Sequence, residues 1–200
     1  MSKVLDRLGL KLLSGQEPLT TNDGADLKLL DFWQWSGSCL MDNTQRGVLA
    51  EFLVAAALDI HRTPREEWGN IDLELQLHGR PIKIEVKSSS ERQSWAGKPS
   101  GFHQFDIRRT EDSEGKTTGS RRWADVYVFC ILKNRHSVIQ TDALDTEKWE
   151  FLVLPTQTLE KLRTNQKSIR KGPLLELGAI SSNYSELAKT IAETAGDLNE

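Results

Sequence analysis

Residues 71–90 read IDLELQLHGRPIKIEVKSSS and predict a β-hairpin. Apolar and polar residues alternate on both sides of His78-Gly79, and a period of two is typical of half-buried strands. The dipeptide His78-Gly79 suits a two-residue turn, because such turns favour glycine. We therefore predict two antiparallel strands, at residues 71–77 and 82–86, joined by this turn.

The turn also sets the register in which the two strands pair. In this register Leu73 faces Ile84 and Asp72 faces Glu85. Every leucine, isoleucine and valine of the hairpin then falls on one face, and the other face holds Glu74 opposite Lys83 and Asp72 opposite Glu85. Lys87 lies two residues beyond Glu85 and shares its face. A slip by one residue would mix the two faces, so the pattern favours this register alone.

The paired acids point to a bound cation. Asp72 and Glu85 are expected about 4.5–5.5 Å apart at Cβ, and like charges at that spacing destabilise a sheet. Magnesium (Mg²⁺) takes oxygen ligands and often uses only one or two carboxylates. Lys87 would orient a water molecule or neutralise the transition state of phosphodiester hydrolysis. The alternative is a solvated strand face on which charged residues merely alternate with apolar ones.

The rest of the chain predicts a mixed α/β fold. A helix is expected at residues 44–58, capped by Asp42 or Asn43 and apolar enough to be buried on most sides. The apolar run DVYVFCIL at residues 125–132 predicts a central strand. Further strands are expected at 102–107 and 150–154, and further helices at 156–163 and 184–195. This order predicts a mixed sheet flanked by helices.

The composition narrows the class of protein. The chain has 200 residues, of which 38% are hydrophobic and 28% charged, which is typical of a soluble globular domain. No apolar run approaches the ~18–20 residues of a membrane span. Cys39 and Cys130 cannot form a disulfide framework, which favours a reducing cytoplasm. We expect one domain with its core at about 43–155 and helical or loop additions at 1–42 and 156–200.

The charge is distributed unevenly along the chain. The formal net charge is −3, which argues against a protein that coats nucleic acid by bulk attraction. Residues 83–122, however, hold nine basic and six acidic side chains. The basic segment begins on the second strand of the hairpin, so any contact with nucleic acid is expected to be local.

The hairpin resembles the signature of the PD-(D/E)xK nuclease superfamily, which has the restriction-endonuclease-like fold. That signature is an acid on one strand and then an acid and a lysine, one residue apart, on the next. Asp72, Glu85 and Lys87 match it in this order. The resemblance covers residues 44–90 and extends more loosely to residue 132. Ile71 stands where the name of the superfamily has proline, at a position that varies among its members.

The resemblance implies cleavage of DNA that depends on Mg²⁺, for which Mn²⁺ can substitute, by an enzyme that is usually a homodimer. Asp72 and Glu85 would bind the metal through carboxylate oxygens, and the Val86 backbone carbonyl would add a ligand. Lys87 would act on the attacking water.

Many members carry one more acid on the helix before the hairpin, and Glu51 in RGVLAEFLVAAAL has that position. Glu51 would bind a second metal or hold a metal-bound water. The alternative is a helix glutamate paired with a cation such as Arg46 or a lysine of the sheet, since a carboxylate in so apolar a helix needs a partner.

Several residues after the motif are candidate contacts for substrate phosphate. In relatives, residues that follow Glu-x-Lys approach phosphate or brace the lysine, and two basic pairs bracket a polar, glycine-containing loop here. A plain loop or a solvated surface is the alternative for each of them. The candidates are Ser88, Gln93, Arg108, Arg109, Arg121 and Arg122.

We expect a Mg²⁺-dependent DNA endonuclease, with a restriction or defence role suggested by family analogy alone. One alternative is a repair, recombination or RNA-directed nuclease on the same core. Another is a non-catalytic module that binds nucleic acid or protein and retains the fold.

Overall fold

A computed structural model of the chain describes residues 9–66, 69–92, 99, 102–113, 115–136 and 139–196. The strands are β1 (Pro18–Leu19), β2 (Leu27–Lys28), β3 (Leu73–Leu77), β4 (Arg80–Ser90), β5 (Gln104–Asp106), β6 (Val126–Leu132), β7 (Trp149–Pro155), β8 (Ser168–Arg170) and β9 (Ile180–Ser182). The helices are α1 (Leu29–Gly37), α2 (Asn43–Ala57), α3 (Thr156–Leu162), α4 (Lys171–Glu176) and α5 (Leu187–Gly196). None of these helices is both long and apolar enough to cross a membrane.

A five-stranded mixed sheet forms the centre of the fold, in the order β3-β4-β6-β7-β9. Strands β4 and β6 are parallel, and the other neighbours are antiparallel. All seven residues of β6 are buried, because strands pair with it on both sides and other layers cover both faces. The predicted central strand and the predicted mixed sheet flanked by helices are both confirmed.

Two layers cover the faces of the sheet and build two apolar cores. On one face α2 and α5 pack against the even-numbered residues of β4 and β6, such as Ile84 and Val128. On the other face lie α3, α4 and the two-stranded β5-β8 sheet, which pack against Tyr127 and Phe129. Burial of each large apolar side chain contributes about 1.5–3 kcal/mol to stability.

The C-terminal segment is part of these cores. Sequence patterns predict residues 156–200 as helical or loop additions outside the core. Instead β9 joins the main sheet, β8 pairs with β5, and Leu187 and Ile191 of α5 are fully buried. Strands of three residues carry too little periodicity to be recognised without their partners.

The hairpin has the predicted register, with Leu73 opposite Ile84 and the remaining pairs following from it. His78 and Gly79 both have positive φ angles, 50° and 81°, as the two-residue turn requires. The hairpin differs from the prediction at both outer ends. Strand β3 begins at Leu73 rather than at residue 71, and β4 continues to Ser90 because β6 pairs with it over that length.

Helix α2 begins as predicted and is exposed along one stripe. The Asp42 carboxylate caps it by accepting hydrogen bonds from the backbone N–H groups of Thr44, at 2.8 Å, and Gln45, at 3.4 Å. Val48 and Phe52 are exposed, the latter by 51%. The other residues of the segment 47–58 are buried or half-buried, so the expected burial on most sides is confirmed and one exposed stripe remains.

Candidate active site

Asp72 lies one residue before β3, at the edge of β4. Its backbone N–H donates to the Ile84 carbonyl at 3.2 Å, and its carboxylate accepts from the Val86 N–H at 2.7 Å. The strand ladder ends with the pair Leu73–Ile84, so the predicted ladder pair of Asp72 with Glu85 does not form. The side chain of Asp72 takes the place of a strand partner, because the Val86 N–H would otherwise be left unpaired.

The Val86 carbonyl points to the same edge. In a strand, the N–H and C=O of one residue face the same neighbouring strand. Because the Val86 N–H binds Asp72, the Val86 carbonyl is also directed towards the side on which β3 has ended. A carboxylate and a carbonyl oxygen therefore converge at this edge of the sheet.

Glu85 and Lys87 lie on one face of β4 as an ion pair. The Lys87 Nζ donates to Glu85 Oε1 at 2.5 Å, and the two side chains are 30% and 18% exposed respectively. Parallel pairing places Tyr127 beside Glu85 and Phe129 beside Lys87, and both aromatic residues are buried. The ion pair is therefore flanked on the neighbouring strand by buried aromatic side chains.

The charges of the three signature residues influence one another. Burial raises the pKa of Asp72 to about 7, with further increases from the charges of Glu85 and Glu51, against the opposing effects of the Val86 N–H and Lys87. Burial lowers the pKa of Lys87, but Glu85, Asp72 and Asp106 outweigh it and raise the pKa above its ordinary value. Lys87 is therefore a cation at neutral pH, and the carboxylates beside it repel one another.

Glu51 of α2 is paired with a cation, but not with one of those suggested by the sequence. The guanidinium of Arg65 donates two hydrogen bonds to its carboxylate, one of them from Nη2 to Oε1 at 3.0 Å. Arg46 instead donates to the Met41 carbonyl and to Asn43. The charge of Glu51 still acts on Asp72, and its role as a ligand of a second metal or a water stays a prediction.

The donor set suits a hard divalent cation. Within the described parts of the chain, no three His, Cys, Asp or Glu side chains are grouped to hold a metal by themselves. Mg²⁺ does not require such a group, because it is usually bound by one or two carboxylates together with waters and substrate phosphates. Asp72, Glu85 and the Val86 carbonyl offer oxygen atoms only. Burial is the main cause of the raised pKa of Asp72, and the negative charges of Glu85 and Glu51, which a cation would compensate, add to it.

A cavity of about 330 Å³ opens on the face that carries Glu85 and Lys87. Most of its wall comes from described residues between positions 106 and 123, which lie in the chain between β4 and β6. Asp72 is not part of the wall and lies at the strand edge beside it. The lining residues from the crossover are Asp106, Arg108, Arg109, Thr110, Arg122 and Trp123.

Two of the residues predicted to contact phosphate, Arg108 and Arg109, line this cavity with side chains that are at least partly exposed. The Arg108 guanidinium binds Asp106, with Nε to Oδ2 at 2.8 Å, and its side chain is 62% exposed. Arg109 lies 3.6 Å from a carboxylate oxygen of Glu160 and is 35% exposed. The structure therefore brings both arginines to the same cavity as Glu85 and Lys87.

Arg122, in contrast, is buried and hydrogen-bonded to other parts of the protein. Its side chain is fully buried, and Nε donates to the Ile107 carbonyl at 2.8 Å. The terminal nitrogens donate to Glu160 at 3.1 Å and to the carbonyls of Arg163 and Gln166 at 3.0 and 3.2 Å. Since these partners take up its donors, we do not retain Arg122 as a phosphate contact.

The remaining candidates are placed elsewhere. The Arg121 guanidinium stacks on the Trp123 ring, 3.8 Å from its centroid, and is not part of the cavity wall. Ser88 lies on the opposite face of β4 from Lys87, because side chains alternate along a strand. Gln93 lies outside the described residues.

The polar loop between the two arginine pairs contacts the segment that precedes Asp72, and sequence patterns do not reveal this contact. Asn70, two residues before Asp72, donates from Nδ2 to Asp112 at 2.7 Å and accepts from the Ser113 N–H at 2.7 Å. Asp112 also accepts from the N–H of Thr117 at 3.0 Å. These hydrogen bonds hold Asp112 and Ser113 beside the hairpin. The only sequence signal for them is that asparagine and aspartate are common in turns.

No protein-family model and no curated protein matches the sequence. Among solved structures, the bacterial homing endonuclease I-Ssp6803I matches at a TM-score of 0.41 and 17% sequence identity, over 79% of this chain and 97% of that chain. A similarity of this degree does not establish a shared activity.

Proposed function

We propose that the chain is a Mg²⁺-dependent DNA endonuclease of the PD-(D/E)xK type with a restriction-endonuclease-like core. The observation that carries the proposal is the hydrogen bond from the Val86 N–H to the Asp72 carboxylate, at the strand that bears Glu85 and Lys87. An ordinary solvated strand face would leave Asp72 in water with an unperturbed pKa. Instead, burial and two acidic neighbours raise its pKa, and a divalent cation would relieve this repulsion.

Each residue of the site would have a distinct role in hydrolysis. A bound Mg²⁺ would supply Lewis-acid activation of the scissile phosphate and the attacking water. Asp72, Glu85 and the Val86 carbonyl would hold the ion through oxygen atoms. Lys87 is protonated and therefore acts as a donor, which orients the water and stabilises the negative charge that develops on the phosphoryl oxygens.

Arg108 and Arg109 extend the site towards the flanking phosphates. Both line the cavity beside Lys87, and each is partly exposed. Phosphate contacts of this kind position a nucleic acid without reading its sequence. We further propose a homodimer and a restriction-like or defence role.

The test is cleavage of supercoiled plasmid DNA with Mg²⁺, with Mn²⁺ and with EDTA. We expect nicking in either metal and none in EDTA. Asp72→Asn and Lys87→Ala should each abolish it, whereas Glu74→Gln should not, because Glu74 is an exposed acid of the same hairpin that faces Lys83.

Undiminished cleavage by both site variants would contradict the assignment of these residues. DNA binding without cleavage in any metal would favour the non-catalytic binding module instead. Sedimentation with and without a short duplex tests the homodimer separately.

A further inference from the structure

The cavity beside the ion pair is lined by more basic than acidic side chains, although the chain as a whole is acidic. Apart from the buried Arg122, whose donors are taken up within the protein, its lining includes three basic side chains, Lys87, Arg108 and Arg109, against two acidic ones, Glu85 and Asp106. The net charge of the whole chain is −3. A concave surface that concentrates one sign of charge raises the local concentration of ligands of the opposite sign.

The same cavity has an aromatic wall, formed by Trp123. The indole Nε1–H donates to the Thr110 carbonyl at 3.0 Å, which fixes the orientation of the ring. The Arg121 guanidinium covers one face of the ring at 3.8 Å and does not line the cavity. Trp123 thus lines the cavity, whereas the arginine that stacks on its ring does not.

The backbone around Trp123 is also held in place. Thr110 and Arg121 exchange two backbone hydrogen bonds, at 2.9 and 3.0 Å. The Asn70 side chain binds Asp112 within the loop that they close. An aromatic surface that is fixed before the ligand arrives costs little entropy on binding.

We propose that this cavity binds one unpaired nucleotide of single-stranded DNA, with its base stacked on Trp123 and its phosphate against Arg108 and Arg109. The inference rests on the proposed nuclease function and deepens it. A volume of about 330 Å³ is at the lower end of the range of small-ligand pockets and suits one nucleotide rather than a base pair. Enzymes that act on nucleic acid receive unpaired bases in pockets of this kind.

The consequence concerns the substrate. A duplex would have to unpair a base to fill the cavity, at a cost of a few kcal/mol. Cleavage is therefore fastest where a nucleotide is already unpaired, as in a single strand, a flap or a mismatch.

The test measures binding in EDTA, where cleavage plays no part. Fluorescence anisotropy compares a labelled single-stranded DNA of about twelve nucleotides with the same strand in a duplex. We expect the single strand to bind about tenfold more tightly. Stacking of one base contributes about 1–3 kcal/mol, so Trp123→Leu should weaken single-strand binding at least about fivefold, and Trp123→Phe should weaken it less. Trp35→Leu, at a tryptophan that is 85% exposed on α1, is the control and should bind as the wild type does.

A second ligand avoids any effect of the variants on folding. An oligonucleotide of the same length made of abasic sites should bind the wild-type chain at least about fivefold more weakly than the normal single strand. Equal binding of the abasic strand, or equal or tighter binding of the duplex, overturns the proposal. Tighter binding of the corresponding RNA overturns the assignment to DNA. Intact single-strand binding without cleavage in Mg²⁺ would refute the nuclease and leave the nucleotide site standing.

Discussion

Asp72 is a carboxyl group on which burial, two acidic neighbours, a backbone amide and a lysine act at once. Burial and the charges of Glu85 and Glu51 favour its protonated form, and the Val86 N–H and Lys87 favour its ionised form. The first group of effects prevails, and the pKa rises to about 7 from an ordinary value of 3.8. Ionisation of Asp72 therefore opposes folding as long as no cation is bound.

This balance predicts an inverted pH dependence of stability for the metal-free chain. The folded carboxyl holds its proton more tightly than the unfolded one, so its contribution to stability is lost as the pH rises from about 4 to about 7. Asp72→Asn keeps an oxygen acceptor for the Val86 N–H and removes the charge. We expect the variant to exceed the wild type in stability by on the order of 4 kcal/mol at pH 8 in EDTA, and to match it near pH 4. Urea unfolding at the two pH values measures the difference, and a wild type that is more stable at pH 8 contradicts it.

Lys87 predicts a separable effect on catalysis. The ammonium of Lys87 is held against Glu85 and donates rather than accepts. Loss of one preorganised charged donor in an active site lowers the rate about 10²–10³-fold, and we expect this loss in Lys87→Gln, which keeps a neutral amide donor and removes the positive charge. Lys87→Arg should retain more activity, because it keeps the charge. Single-turnover cleavage measures both, and equal rates for Lys87→Gln and the wild type would remove Lys87 from the mechanism.

Sequence patterns identify some site residues and miss others for a physical reason. Asp72, Glu85 and Lys87 follow from alternation and from a turn of fixed length, which are both local. Arg121 and Arg122 are adjacent and chemically identical, yet one stacks on an indole and the other is buried. Partners that are distant in sequence make this difference, and no local pattern contains them.

At the scale of elements, the crossover between β4 and β6 is joined to α3 by a buried arginine. Arg122 donates to Ile107 within the crossover and to Glu160 of α3. Arg109 approaches the same glutamate at 3.6 Å. The wall of the cavity thus depends on contacts with the C-terminal part of the chain.

The different contacts of Arg122 and Arg108 predict that one substitution lowers stability and the other lowers DNA binding. Arg122→Ala leaves buried carbonyls unpaired, and we expect it to lower the free energy of unfolding by about 3 kcal/mol or more. Arg108→Ala breaks an ion pair of an exposed side chain, so it should cost less than about 1 kcal/mol and instead weaken DNA binding. Chemical denaturation and DNA binding of both variants provide the measurement. A stability loss in Arg108→Ala as large as that in Arg122→Ala would contradict the distinction.

Elements differ in how far local patterns predict them. The hairpin and β6 are predictable because period, turn and continuous burial are encoded within a few residues of each other. The extension of β4 through Ser88, Ser89 and Ser90 is not, because those residues become strand by pairing with β6. Strands β8 and β9 are assigned only by their partners β5 and β7.

At the scale of the whole molecule, acidity and affinity for DNA are compatible because they occupy different places. The chain carries a net charge of −3, and residues 83–122 hold nine basic and six acidic side chains. Some of the acidic charge lies at Asp72 and Glu85, where a metal would offset it. Binding to duplex DNA without metal should therefore be weak and should fall steeply with salt.

Metal binding should accordingly be visible as thermal stability. A ligand that binds only the folded state stabilises it by about 2.7 kcal/mol at 100 times its Kd. We expect Mg²⁺ to raise the Tm of the wild type at pH 8 and to have little effect on Asp72→Asn. Differential scanning fluorimetry over a range of Mg²⁺ concentrations measures this, and the Glu74→Gln variant should respond as the wild type does. An equal rise in Asp72→Asn would place the ion elsewhere.

The Val86 amide offers a spectroscopic reporter of the site. Its proton is held by a side chain that titrates, whereas the neighbouring amides of β4 are held by backbone carbonyls that do not. Its nuclear magnetic resonance signal should shift with a midpoint near pH 7 in EDTA, as Asp72 ionises, and Mg²⁺ should move that midpoint to lower pH. One resonance would thus follow proton and metal at the same carboxylate, without any substrate and before any cleavage is detected.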